Sequence, residues 1–190
     1  AVATFFLIGK EITGERVDTV KELKKKGNAI GVHTYCHEHN QMYASANCFY
    51  KDFRAASDWI EKIIGEKPTL HRFPWGSNNG YVKSYVDELH NQLRKEGVRS
   101  FDWNVSGEDS ISPHVSQAVI FQNVKKDVTR FEKPIILLHD EYASSIEAAL
   151  FIVDELQSQG YVFVTVEEIM LVSWNPQLDE INSWMKSAVG

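Results

Sequence analysis

The chain has 190 residues, 43% hydrophobic and 12% aromatic, which is enough apolar side chain for one domain with a sizeable core. Its formal charge of −6 and isoelectric point near 5.6 argue against a nucleic-acid binder, whose affinity rests on a basic footprint. No apolar run approaches the ~20 residues needed to cross a bilayer, and the two cysteines, Cys36 and Cys48, can pair at most once.

The run that begins at Ala3 and ends at Ile8 is continuously apolar and β-rich, as expected of a strand buried on both faces, and Gly9 stops it. Val17, Val20 and Leu23 mark one face of a short helix ending at Gly27, with lysines in its last turn where the helix dipole favours cations. A second strand from residue 29 leads into the histidine-rich stretch 33–39. Residues 44–64 predict a longer helix with Phe49, Phe53, Ala56, Ile60 and Ile63 inward, closed by Gly65 and Pro68. Residues 69–74 read as a third strand, followed by a Gly/Asn/Ser loop over 76–80. Val82, Tyr85, Val86, Leu89 and Leu93 define the next helix, capped by Gly97.

Residues 99–104 read as a fourth strand, and Ser112 with Pro113 as N-cap and first position of a helix running toward Arg130. The very apolar run 134–139 is a fifth strand. Ser144 or Ser145 opens a helix with Ile146, Ala149, Leu150, Val153 and Leu156 inward, ending at Gly160, and 161–166 is the last strand. One domain is expected over 1–170, with 171–190, including Trp174 and Trp184, as a C-terminal tail. Alternating strands and helices with short connections call for an α/β fold with a parallel sheet and right-handed crossovers. A barrel is expected rather than an open sheet, because no Gly-rich phosphate turn follows the first strand while candidate groups follow several strands.

Those groups are as follows. His33 and His37 stand four residues apart beyond a strand end, so both rings can reach one cation; unliganded surface or core histidines are the alternative. Cys36 between them should diverge from both and reads as a small filler. Arg72 beside the rigid turn Pro74-Trp75-Gly76 offers a fixed cation and a backbone N–H that can face an oxyanion, or else an ordinary turn with a surface ion pair. Asp102, Glu108 and Asp109 gather after the fourth strand, where acidic loops are often merely solvated. Leu137 and His139 end the fifth strand, and a ring there must find a partner or face a cavity.

The ordered set HTYCH (33–37), RFPWG (72–76), FDWNV (101–105) with its acidic loop, and LLHD (137–140) resembles the polysaccharide deacetylases of carbohydrate esterase family 4, over residues 3–169. The resemblance implies a distorted (β/α) barrel and a metal-dependent hydrolase at the cell surface or outside the cell. Such an enzyme removes N-acetyl or O-acetyl groups from a polysaccharide, chiefly cell-wall N-acetylglucosamine. It assigns His33 and His37 to a divalent metal, usually zinc, Arg72 to steadying the catalytic base, and the Trp75 N–H to the oxyanion. It further assigns Asp109 to tethering Arg72, Leu137 to the acetyl pocket, and His139 to the general acid.

The family's Thr-Phe-Asp-Asp-Gly motif, whose aspartates are the base and third metal ligand, is not found in these 190 residues, and Ser110 stands where a tryptophan often follows the loop aspartate. The expectation is therefore a fold lacking its first βα unit, weakly active or inactive by itself, with His39 or Asp109 as candidate replacement ligands. The apolar strand from Ala3 to Ile8 would then be covered by a second copy, a swapped segment or the C-terminal tail. A non-catalytic glycan-binding relative is the alternative reading.

Overall fold

The computed structural model describes residues 1–112 and 114–173. Strands β1 (Thr4–Ile8), β2 (Ala29–Thr34), β3 (Leu70–His71) and β4 (Arg99–Ser100) form one sheet in the order β1-β2-β3-β4, and β5 (Val105–Ser106) pairs with β6 (Ile136–Leu137) in a second. All these pairings are parallel, so every connection must cross over, and helices make most of the crossovers. They are α1 (Glu15–Lys25), α2 (His39–Met42), α3 (Ala46–Ile64), α4 (Val86–Lys95), α5 (Gln117–Val128), α6 (Ala143–Ser158) and α7 (Val166–Ser173). The protein is thus an α/β distorted barrel with parallel strands, as expected.

Local chemistry explains most boundaries. The Ser45 side chain accepts the Cys48 N–H at 3.2 Å to start α3, and Gly65, in the left-handed region at φ 79°, ends it. Phe49, Phe53, Ala56, Ile60 and Ile63 of that helix are buried, as its period predicts. They share a core with Val32, Phe73, Leu89 and Leu93. A second core joins Val105 to Ile120, Val124, Ile152 and Leu156 between the smaller sheet and α5 and α6. A third cluster joins Ala29 and Leu70 to Val166, with Phe6, Phe101, Ile135 and Ile169 packed on it. Successive strands and α7 therefore meet at one centre.

Several expectations are corrected. The helix expected over residues 44–64 is α3, which begins at Ala46 because Ser45 caps it, and the short helix α2 lies before it in the histidine-rich stretch. The helix expected from residue 82 begins at Val86, since Asn79 holds the N–H groups of Tyr81 and Val82 in a turn. Ser116, accepting the Val119 N–H at 3.4 Å, is the N-cap of α5 in place of Ser112, while Pro113 lies outside the described residues. Residues 161–165 form no ladder among the described residues. Instead the Thr165 N–H and hydroxyl both donate to the Glu168 carboxylate, at 2.6 and 3.1 Å, and the Glu168 N–H returns to Thr165 Oγ1 at 3.3 Å. This reciprocal cap starts α7 where a strand was expected. Helix α6 is rotated from expectation: Ser145, Ala148, Ile152 and Leu156 are buried, while Ile146 and Leu150 face outward.

Strands β3 and β4 are shorter than expected for a common reason. Arg72 Nε donates to the Phe101 carbonyl at 2.9 Å and its Nη2 to the Asp102 carbonyl at 3.3 Å, occupying the acceptors a longer ladder would use. The chain crosses to the second sheet at once, where the Asn104 side chain links to Lys133 and Ile135. At the other edge, Phe5 packs on the first core and Phe6 on the third, both half-buried. Among the described residues no strand pairs with the outer side of β1, which meets one bond from the Val166 N–H to Thr4 Oγ1 at 3.0 Å. The expected cover by the tail of Trp174 and Trp184 lies outside the described residues.

Candidate active site

The site is built on the carboxyl ends of β2, β3 and β6 and the turn behind β5. His33, next to last in β2, donates its Nδ1–H to the Arg72 carbonyl at 2.7 Å, which fixes the tautomer and leaves Nε2 without a proton. Burial first, then the neighbouring His37, pushes its pKa down to about 3, so the ring is neutral and able to ligate at neutral pH. Four residues on, His37 lies in the left-handed region at φ 54° and turns its ring to within 5.1 Å of His33, centroid to centroid. Its pKa is also lowered, mainly by burial.

That unusual turn is clamped by a residue to which the sequence reading gave no role. Asp52, on α3, accepts the Tyr35 N–H at 2.7 Å, the Cys36 N–H at 3.0 Å and the Thr34 hydroxyl, while Thr34 Oγ1 accepts the His37 N–H at 3.3 Å. A carboxylate three positions after Phe49 and four before Ala56, in line with the buried stripe of an amphipathic helix, is the signal that marks it. Cys36 is half-buried against the first core, as expected of a filler, and both cysteines are free.

Arg72 is nearly buried. Its guanidinium lies 4.3 Å from the Phe6 ring centre and 5.7 Å from that of Trp103. Burial lowers its pKa to about 10, against the opposing charge of Asp102, so it remains a cation. It makes two bonds to carbonyls and no ion pair among the described residues. Trp75, in the left-handed region at φ 62°, sets its ring 4.8 Å from that of His37, and its N–H has no partner among the described residues. Gly76 follows at φ 80°, where a Cβ would press within 3.3 Å of the Trp103 ring.

The three carboxylates behind β4 separate. Asp102 accepts the Ser77 N–H and hydroxyl, bracing the loop after Trp75. Asp109 was expected to tether Arg72, but the structure places it on His139: its two oxygens accept the His139 N–H at 2.6 Å and Nδ1–H at 2.9 Å, and Ser145 Oγ donates to it at 2.7 Å. The reason is positional, since the β5–β6 pairing sets the turn after Gly107 against the end of β6, whereas Arg72 is already committed to two carbonyls. The hydrogen bond to Asp109 raises the His139 pKa against burial. Burial would raise that of Asp109, but the bonds from His139 and Ser145 hold it below the usual value. His139 lies near enough to help depress His33. Leu137 sits on β6, paired with Ser106.

The two imidazoles supply two nitrogen donors, and no group of three or more His, Cys, Asp or Glu able to hold a metal occurs among the described residues. The residues present fit part of a catalytic zinc site, which ordinarily takes three protein ligands. Neither expected substitute joins them: Asp109 is spent on His139, and His39 packs 4.6 Å from Tyr81 and 6.0 Å from Trp75.

Fold and site together define an α/β barrel protein with a histidine pair, a buried arginine and a carboxylate-held histidine at strand ends. The family model described as polysaccharide deacetylase matches residues 1–93. The chain is 32% identical over 178 residues to the peptidoglycan-N-acetylglucosamine deacetylase of Bacillus cereus, covering 90% of this chain and 76% of that protein. It is 31% identical over 167 residues to the peptidoglycan-N-acetylmuramic acid deacetylase PdaC of Bacillus subtilis, covering 88% of this chain. The catalytic domain of the peptidoglycan N-acetylglucosamine deacetylase of Eubacterium rectale superposes with a TM-score of 0.80 at 29% identity, over 86% of this chain and 76% of that one. The chain therefore belongs to the polysaccharide deacetylase family. It spans 59% and 32% of the lengths of the two Bacillus subtilis relatives it matches.

Proposed function

We infer that the protein is a metal-dependent hydrolase that removes acetyl groups from a cell-wall polysaccharide, with N-acetylglucosamine of peptidoglycan as its chief substrate and zinc as its metal. The observation that carries this reading is the facing pair His33 and His37, with His33 oriented by the Arg72 carbonyl, beside a histidine held by Asp109. Action outside the cell or at its surface follows from such a substrate. A bound zinc ion supplies Lewis acidity at a carbonyl. His33 and His37 hold it through the ring nitrogens that no protein group uses. The free Trp75 N–H faces charge building on the carbonyl oxygen, as oxyanion donors do, and Leu137 lines the acetyl pocket. Asp109 keeps the His139 Nδ1–H in place, so that Nε2 delivers the proton to the departing amine.

Among the described residues no third metal ligand joins the histidine pair, and no carboxylate is ion-paired with Arg72 as a base would be. Arg72, a buried cation with carbonyl partners alone, is suited to steady a carboxylate supplied from outside these residues. The 190 residues by themselves are accordingly expected to release acetate very slowly. Calorimetric zinc titration of the chain and of His33→Ala tests the assignment: weak binding that disappears in the variant is expected, and indistinguishable isotherms would overturn it. Rapid acetate release from N-acetylglucosamine oligomers by the unaltered chain would refute the need for an outside carboxylate.

A further inference from the structure

Beside the histidine pair lies a group of rings that the proposed chemistry does not use. Trp75 and Tyr81 are 46% and 51% exposed although both are large aromatics. Their ring centres are 5.9 Å apart at an interplanar angle of 59°, so they form the two walls of an open corner. His39 closes it, edge-on to Trp75 at 6.0 Å and 4.6 Å from Tyr81, and the buried Tyr43 lies beneath both at 6.2 Å.

The corner is held stiff from below. Tyr43 donates its hydroxyl to the Pro74 carbonyl at 3.0 Å, and Asn79 Nδ2 donates to the carbonyls of Pro74 at 3.1 Å and Gly76 at 2.6 Å. Asn79 Oδ1 in turn accepts the Tyr81 N–H at 2.8 Å and the Val82 N–H at 3.2 Å. Exposed rings on a braced loop present a preformed surface, which lowers the ordering cost of binding. Trp75 moreover keeps a left-handed backbone, a strained conformation that persists where the surroundings enforce it.

The geometry points to a sugar-binding subsite: Trp75, Tyr81 and His39 form a stacking platform for the pyranose ring adjacent to the one whose acetyl group lies at His33 and His37. This rests on the deacetylase reading and extends it along the glycan. The occupant follows from position and chemistry. Trp75 is 4.8 Å from His37, so whatever lies on the platform is continuous with the ligand at the histidine pair. The rings are flat and apolar with polar rims, a tyrosine hydroxyl and imidazole nitrogens, and none carries a fixed charge. That suits a neutral ring with a C–H face and a hydroxyl edge.

The test uses the unaltered chain, Tyr81→Ala, Tyr81→Phe and His33→Ala, with the β-1,4-linked tetramer of N-acetylglucosamine and the monosaccharide as probes, followed by calorimetry. Tetramer affinity is expected to fall about fivefold or more in Tyr81→Ala and to return in Tyr81→Phe, while monosaccharide affinity stays the same in the unaltered chain, Tyr81→Ala and Tyr81→Phe. Tyr81→Ala binding the tetramer as tightly as the unaltered chain overturns the platform, as does no tetramer binding by the unaltered chain. His33→Ala separates the two readings. Tetramer binding that survives in His33→Ala but weakens in Tyr81→Ala supports the platform whatever becomes of the metal assignment. Zinc binding lost in His33→Ala with tetramer binding unchanged in Tyr81→Ala overturns the platform alone.

Discussion

At the scale of single residues, the pairing of Asp109 with His139 decides when the candidate acid carries its proton. The carboxylate, itself almost fully buried, accepts both the backbone and the ring N–H of His139 and raises the imidazole pKa above its ordinary 6.5. Removing that charge in Asp109→Asn lowers it again, so less imidazolium remains at neutral pH. The expected outcome is a downward shift of the His139 titration followed by proton NMR. Where acetate release is measured, the alkaline limb of its pH profile should move to lower pH, with kcat reduced more than KM is raised. An unmoved titration would show that Asp109 does not set the proton affinity. Because the folded-state pKa is raised, the stabilisation from this pair is complete below about 6.5 and is lost as pH climbs through the higher folded value.

At the scale of elements, β2 makes room for its neighbour. Gly31 pairs with Phe6, and a Cβ on it would meet the Phe6 ring at 2.7 and 2.8 Å and Leu70 Cβ at 3.0 Å. The Phe6 ring is the surface under the Arg72 guanidinium, so the missing side chain at Gly31 supports the arginine's position as well as the packing. Gly31→Ala should therefore destabilise the protein by about 1–3 kcal/mol, the usual cost of overpacking, read as a lower urea midpoint. Full stability in that variant would show that Phe6 can shift freely.

At the scale of the whole molecule, the interior sets the acid limit of stability. His71 is completely buried against Phe49, Phe53 and Phe73, and its Nδ1 meets Ser100 Oγ at 2.9 Å. Burial holds its pKa well below 6.5, and His33 and His37 are depressed in the same direction. Below about pH 6.5 the unfolded chain binds protons that these rings refuse when folded, so stability falls with pH, by at most ~1.4 kcal/mol per unit for each ring. Urea midpoints should be lower at pH 5 than at pH 7.5, with the slope reduced by about one proton in His71→Leu. Equal slopes in the two proteins would mean that His71 titrates normally.

The amino-acid sequence alone determined the α/β class, the inward faces of α3 and α4 and the strand-end positions of His33, Arg72 and His139. These rest on period and on the order of local signals, which a short window contains. It also held the cap formed by Thr165 and Glu168, a Thr-x-x-Glu pattern masked by the alternating apolar residues before it. Tertiary structure decided what depends on partners far apart in the chain. The ladder ends at β4 because Arg72 takes carbonyls about thirty residues away. Helix α6 turns Ser145 inward because Asp109, 36 residues earlier, needs a donor. Asp109 serves His139 and not Arg72 because the pairing of β5 with β6 brings those two together. A hydrogen bond is satisfied by whichever group the fold places within reach, and no local pattern encodes that choice.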